Sequence, residues 1–436
     1  MAENLGMNPE RVRALTRSLE ANTEELEQAS RAVHRAALAS INPLSYGLQP
    51  GAFLLAPWSI VGTQVAAAKV RNAAASATTL TATLYAELAK QIEISSVGGG
   101  ARGVVPVTAR DWLGDIPPAA EVRKWLIAHG KNGDPDQVEA YWDSLTDDQK
   151  AALIKAQPLL IGNLDGVPMK DRVLANQEQA RQRLAEGGLG DRETAYLESV
   201  ANGTRKLVVY DAANQRIVEM VGNFDESTDR VITYVPGTDT NMDSFFNGDV
   251  QKVSAYLTES DPSKNTVAFV IKDGEWADWG YFQGSANNDR DFTDGVGKKV
   301  ANFQDLVMRE DNLRDAEQVA IAHSWGMSAL SSSEVNGAHY DKVISLSGAW
   351  LADGWQANSA TTYSHYQYGV DVINYAEIEG DYPHESSDFA QNDLTPNTTT
   401  ILGVEFQNEL DNHGRSSGGA DTNLDLLLKV RREIYG

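Results

Sequence analysis

The stretch that most constrains the fold is Val319-Ala320-Ile321-Ala322-His323-Ser324-Trp325-Gly326, an apolar β-like run ending at a serine with small residues two positions before and after it. A strand that turns sharply into a helix holds its turn residue in a cramped backbone conformation. The flanking positions must therefore be small where the chain passes close to itself. Ala322 and Gly326 meet that demand, with alanine where the G-x-S-x-G pattern has its first glycine. Met327-Ser328-Ala329-Leu330-Ser331 then supplies the small-residue helix that must follow. The stretch reads as a nucleophile elbow presenting Ser324, against the plainer reading of a buried serine in a strand-loop-helix unit.

The 436 residues suffice for a large core and two or three structural units. A formal net charge of −24 argues against nucleic acid and anionic membrane surfaces as electrostatic partners. The charge is uneven: residues 1–96 carry eight basic and eight acidic side chains, leaving 29 basic against 53 acidic in the remainder. Two different modules are expected. Without cysteine there is no disulfide, thiolate metal site or thiol nucleophile. Met1-Ala2-Glu3-Asn4-Leu5-Gly6 lacks the basic and apolar regions of a secretory signal, and no apolar run is long enough to span a bilayer. A cytoplasmic location, or export that needs no such signal, is the expectation.

Asn8-Pro9-Glu10 is a helix start, followed by apolar residues at spacings of three and four to about Ser40. A second helical pattern runs from Val61 to Ile92 with alanine on its contact side, so residues 1–96 are expected to pack as an antiparallel hairpin. This hairpin resembles the WxG-type helical hairpins exported by bacterial type VII secretion systems. The likeness is one of shape: the turn reads Trp58-Ser59-Ile60 without the glycine, and Tyr85 is followed four residues later by Ala89 rather than an acid. The alternatives are export and plain self-association or docking of a helical partner, for which Phe53-Leu54-Leu55 offers an apolar patch.

Residues 97–108 form a linker containing Gly98-Gly99-Gly100, and 109–203 read as a helical segment. Within it, Tyr141-Trp142-Asp143-Ser144-Leu145-Thr146, Gly162-Asn163-Leu164-Asp165-Gly166-Val167-Pro168 and Arg172…Ala175-Asn176 resemble the region preceding the catalytic sheet in a family of bacterial α/β-hydrolases long catalogued as a domain of unknown function. The resemblance covers about residues 110–436. It implies an α/β-hydrolase fold and a Ser-acid-His triad, with no substrate specified. Physically, the Gly-Asn-Leu-Asp-Gly-Val-Pro string is a set of turn formers and reads as scaffold.

From about Thr204 strand patterns take over, at 206–210, 216–221, 230–235, 266–271, 318–322, 343–347, 371–375 and 400–404. Antiparallel strands followed by β-α alternation give residues 204–436 the order of an α/β-hydrolase sheet. In that fold the nucleophile, acid and histidine follow one another along the chain. His413 is the histidine beyond the last expected strand and is the base candidate; His384 is the fallback. His323, next to the nucleophile, reads as a packing residue, and His339 and His365 as surface or pocket-wall residues. The acid should follow the strand ending near Tyr375. Asp381 is the choice, in a Gly-Asp turn of the kind the resembled family has there, with Glu379 and Asp388 as rivals.

A carbonyl attacked by serine becomes an oxyanion that needs preorganised donors. The backbone N–H groups of Trp325 and of Thr238, in the Val235-Pro236-Gly237-Thr238 loop, are the expected pair. The aromatic stretch holding Trp276, Trp279, Tyr281 and Phe282 suggests a pocket wall for an apolar acyl group. The whole predicts a serine hydrolase of a small acyl-ester, thioester or lipid-like substrate, needing no cofactor or metal. The alternative class is an exported interaction protein with a hydrolase-like scaffold.

Overall fold

The computed structural model describes residues 135–278, 289–369, 371–375, 380–396, 398–401, 404–407 and 409–436. The chain divides into units Met1–Asp115 and Ile116–Gly436, and every described residue belongs to the second. The helical hairpin and linker expected over 1–108 lie outside the described residues, as do Trp279, Tyr281, Phe282 and Glu379.

Five helices come first: α1 (Pro135–Asp143), α2 (Asp147–Ala156), α3 (Pro158–Ile161), α4 (Met169–Glu186) and α5 (Asp191–Ala201). Thr146 opens α2 with a capping box, its hydroxyl accepting from Gln149 N while the Gln149 side chain accepts from Thr146 N. Trp142, Leu153, Ile161, Leu164 and Val167 bury one small core among these helices. The sheet follows, with β1 (Lys206–Asp211), β2 (Arg216–Val221), β3 (Arg230–Val235), α6 (Met242–Phe246), α7 (Lys252–Ser260), β4 (Thr266–Asp273) and α8 (Arg290–Arg309). Then come β5 (Glu317–His323), α9 (Gly326–Val335), β6 (Lys342–Leu346), β7 (Thr362–Tyr368) and β8 (Ala390–Leu394). A small hairpin of β9 (Thr398–Ile401) and β10 (Val404–Gln407) precedes α10 (Glu409–Arg415) and α11 (Ala420–Tyr435).

Eight strands pair in the order β1-β2-β4-β3-β5-β6-β7-β8. β1, β2 and β4 pair antiparallel, and from β4 through β8 every neighbouring pair is parallel. The parallel strands are apolar on both sides because helices cover both faces. α4, α8 and α9 bury Val173, Val300, Phe303 and Leu330 on one face. α5, α7 and α11 bury Leu197, Leu257, Leu427 and Val430 on the other.

Two expectations about strands are corrected. Residues 371–375, read from their apolar run as a strand, instead hold a 3₁₀ turn at 372–375; the sheet strand is β7, which begins nine residues earlier at Thr362 and is rich in tyrosine. The expected final strand at 400–404 is split between β9 and β10, which pair with each other and not with the main sheet. β8 was not anticipated at all; its pattern, Ala-Gln-Asn-Asp-Leu, is that of a mostly exposed edge strand.

The Gly162–Pro168 string has a definite structural job. β1 is an edge strand, and its outward backbone groups are met by side chains rather than by another strand. Asn163 accepts from Tyr210 N at 3.0 Å and donates to Tyr210 O at 2.8 Å. Arg172 Nε donates to Val208 O at 2.9 Å, and Asn176 Nδ2 to Leu207 O at 2.9 Å. An added Cβ on Gly162 would lie 2.2 Å from Asn176 Oδ1, so only glycine permits that close approach.

Candidate active site

The strand-helix turn at Ser324 is built by steric exclusion. Ser324 has φ +54°, a left-handed conformation costly to any residue with a Cβ. It is held there by backbone bonds from Ser324 N to Leu346 O at 3.1 Å and from Ala349 N to Ser324 O at 2.9 Å. A Cβ on Gly326 would lie 2.3 Å from Val235 O and 2.7 Å from Pro236 O, so the elbow packs directly on the end of β3. Behind the turn, α9 is buried along its small side chains, and Gly297 of α8 approaches so closely that an added Cβ would be 2.3 Å from Ser332 Oγ.

His413, on α10, places Nε2 2.8 Å from Ser324 Oγ. Its Nδ1 lies 2.7 Å from Asp371 Oδ1. All three side chains are buried. Asp371 sits just beyond the end of β7, and Ile373 N donates to the same Oδ1 at 2.9 Å. Burial pushes the Asp371 carboxyl up, but the hydrogen bond and charge of His413, with the Ile373 amide and the Ser347 hydroxyl, outweigh it and hold the group below the usual carboxylate range. An ionised carboxylate on Nδ1–H fixes the tautomer that leaves Nε2 facing the serine.

The carboxylate on His413 is thus Asp371, not Asp381. Asp381 and Asp388 are exposed and line a separate cavity of about 470 Å³ with Trp355, while the Asp381 carbonyl accepts from Leu351 N at 2.7 Å. The sequence signal that misled was the apolar run after Asp371; the usable signal was the aspartate immediately ahead of it. The ring nitrogen on Ser324 Oγ is that of His413, not His384, whose Nε2 faces Glu385 at 3.7 Å and whose ring lies 6.2 Å from that of His365. His365 is fully buried on β7, not at the surface, with Nδ1 2.9 Å from Ser345 Oγ, and burial lowers it to about 4.

His323 does more than pack. Its Nε2 is 3.0 Å from His413 O, so the residue before Ser324 ties the backbone of His413. Burial foremost, then the neighbouring His413, lowers His323 to about 3, which keeps the ring neutral beside His413.

Gly237 lies against Ser324: an added Cβ would be 2.9 Å from Ser324 Cβ and 2.8 Å from His323 Nδ1. Its carbonyl accepts from Trp276 Nε1 at 3.0 Å and from Thr240 Oγ1 at 2.8 Å. Trp276 is buried and anchors this loop, while its ring meets the Trp325 ring edge-on at 5.4 Å. The Phe292 ring also neighbours that of Trp325, with centroids 6.0 Å apart.

The mixed eight-stranded sheet with helices on both faces, and a serine at the strand-helix turn after β5, fit an α/β-hydrolase fold. No family model and no curated protein matches the chain. Among solved structures it is similar to lipase B of Aspergillus fumigatus, at 10% identity over 59% of this chain and 77% of that one, with a TM-score of 0.27. No helix among the described residues is long and apolar enough to cross a membrane.

Proposed function

We propose that the protein is a serine hydrolase acting through an acyl-enzyme, with Ser324 as nucleophile, His413 as base and Asp371 as the orienting acid. The observation that carries this reading is the unbroken hydrogen-bonded chain from Ser324 Oγ through both His413 nitrogens to Asp371. Ser324 Oγ attacks the substrate carbonyl carbon while His413 Nε2 takes its proton. The backbone N–H groups of Trp325 and Thr238 receive the oxyanion, Gly237 allowing that loop to lie close. His413 then returns the proton to the leaving alkoxide or thiolate, and a water, deprotonated by the same nitrogen, releases the acid. The Trp276, Trp325 and Phe292 rings around the elbow favour an apolar acyl group on an ester, thioester or lipid-like substrate. Residues 1–96 would serve as the docking or export element.

The test is covalent labelling of the full chain with a fluorophosphonate probe. Native protein should label at Ser324, and Ser324→Ala and His413→Ala should not. A folded native chain that stays unlabelled would sink the reading.

A further inference from the structure

The His413 ring is held at both nitrogens, by Ser324 and by Asp371, but a ring pivots on its own backbone. Where that backbone is fixed decides where Nε2 points. α10, which carries His413, has seven residues, and a helix that short gains little stability from its own hydrogen bonds. The His413 carbonyl lies in the last turn, where the helix itself offers no donor four residues on. Among the described residues two donors meet it from outside the helix: Ser416 N at 3.3 Å and His323 Nε2 at 3.0 Å. Ser416 follows α10 directly and has a tie of its own, to Ser347 Oγ at 2.7 Å. His323 is the last residue of β5, so its ring joins the backbone of His413 to the strand that presents Ser324.

The other edge of the same ring faces a second element. A carbonyl only accepts, so His323 Nε2 carries the proton, and in a neutral ring Nδ1 then carries none. That bare Nδ1 stands against Gly237, where an added Cβ would lie 2.8 Å from it. The His323 and His413 rings are themselves 5.0 Å apart, tilted by 41°. One imidazole therefore stands between α10 and the loop after β3.

We propose that His323 is a positioning residue for the acyl transfer: its Nε2–H sets where the His413 backbone lies relative to Ser324, and the bare edge of its ring sets how closely the Gly237 loop approaches. It touches no reacting atom. The kinetic consequence rests on the serine-hydrolase reading, while the tie itself rests on geometry alone.

Two replacements separate the donor from the shape. Gln can place an amide N–H where Nε2 stands; Phe fills the ring's space and donates nothing. Fluorophosphonate labelling of the full chain is followed to completion for each. His323→Phe should reach the native extent but label about ten-fold or more slowly, since a misplacement of about 1 Å can cost about 10²-fold, and His323→Gln should stay within about three-fold of native. A role confined to stability would instead lower the final extent and leave the rate of the labelled molecules untouched. Native rate in His323→Phe, a His323→Gln chain as slow as His323→Phe, or a loss in extent alone would each overturn the proposal. Histidine-selective isotope labelling and NMR read the tie without activity: the His413 ring signals should shift in His323→Phe and hold in His323→Gln, and signals unmoved in His323→Phe would overturn it. In a native chain that does not label, the hydrolase reading falls while these signals still decide the tie.

Discussion

A carboxylate two bonds removed from the reacting atoms acts only through the imidazole it holds, so the identity of that carboxylate is a sharp question at the scale of the residue. Asp371 touches His413 Nδ1 and Asp381 does not. Asp371→Asn should lower kcat on p-nitrophenyl esters by about 10³–10⁴-fold, since the amide favours the wrong tautomer, while Asp381→Asn should stay within about two-fold. Gly237→Ala places a methyl group against Ser324 Cβ and His323 Nδ1. It should slow fluorophosphonate labelling by about 10²-fold, the scale of losing one oxyanion donor, and lower unfolding stability by about 1–3 kcal/mol as the crowded methyl displaces its neighbours. Ser324 was readable in the sequence because sterics write themselves into residue size: Ala322 and Gly326 are small for a local reason. Asp371 was not. β7 is buried nearly throughout, yet it carries Ser364, His365 and Gln367, whose polar groups are satisfied by partners such as Glu433 and Ser345 far away in the chain. Hydropathy therefore favours the apolar 3₁₀ turn beyond it as the strand, which points to an acid after that turn.

At the scale of the element, the outer edge of β1 shows how a sheet edge can be closed without another strand. Three side chains, Asn163, Arg172 and Asn176, supply the donors and acceptors that a neighbouring strand would have given. Removing either amide leaves backbone groups of β1 without their partners, so Asn163→Ala and Asn176→Ala should each destabilise the protein by about 1–3 kcal/mol in urea unfolding. The first four strands were legible from their residue pattern to within two residues, and the helical character of the segment before them was legible too. The edge-closing role of Asn163 was not, because its partner Tyr210 is 47 residues away and the string itself announces only turns.

Across the whole molecule, burial of neutral imidazoles sets an acid limit. His323 is lowered to about 3 and His365 to about 4, each from an ordinary value of 6.5. Between those values the unfolded chain holds protons that the folded chain refuses, so stability is full above about pH 6.5 and falls as pH drops, by up to about 1.4 kcal/mol per pH unit for each histidine. Asp371, held below its ordinary range, adds loss in the same direction at lower pH. Denaturation midpoints measured from pH 7 to pH 4 should decline steadily, and His365→Gln should flatten the decline. A midpoint independent of pH over that range would contradict the burial of both rings.

The three groups of the candidate triad occur along the chain in the order Ser324, Asp371, His413, and the histidine is on α10, after all eight strands of the sheet and just before the helix that covers them. During synthesis the serine and its strained turn are therefore made long before the base that would activate them. A ribosome-bound chain with most of its sheet already emerged carries an inert hydroxyl, and any hydrolytic power is withheld until the final helices dock.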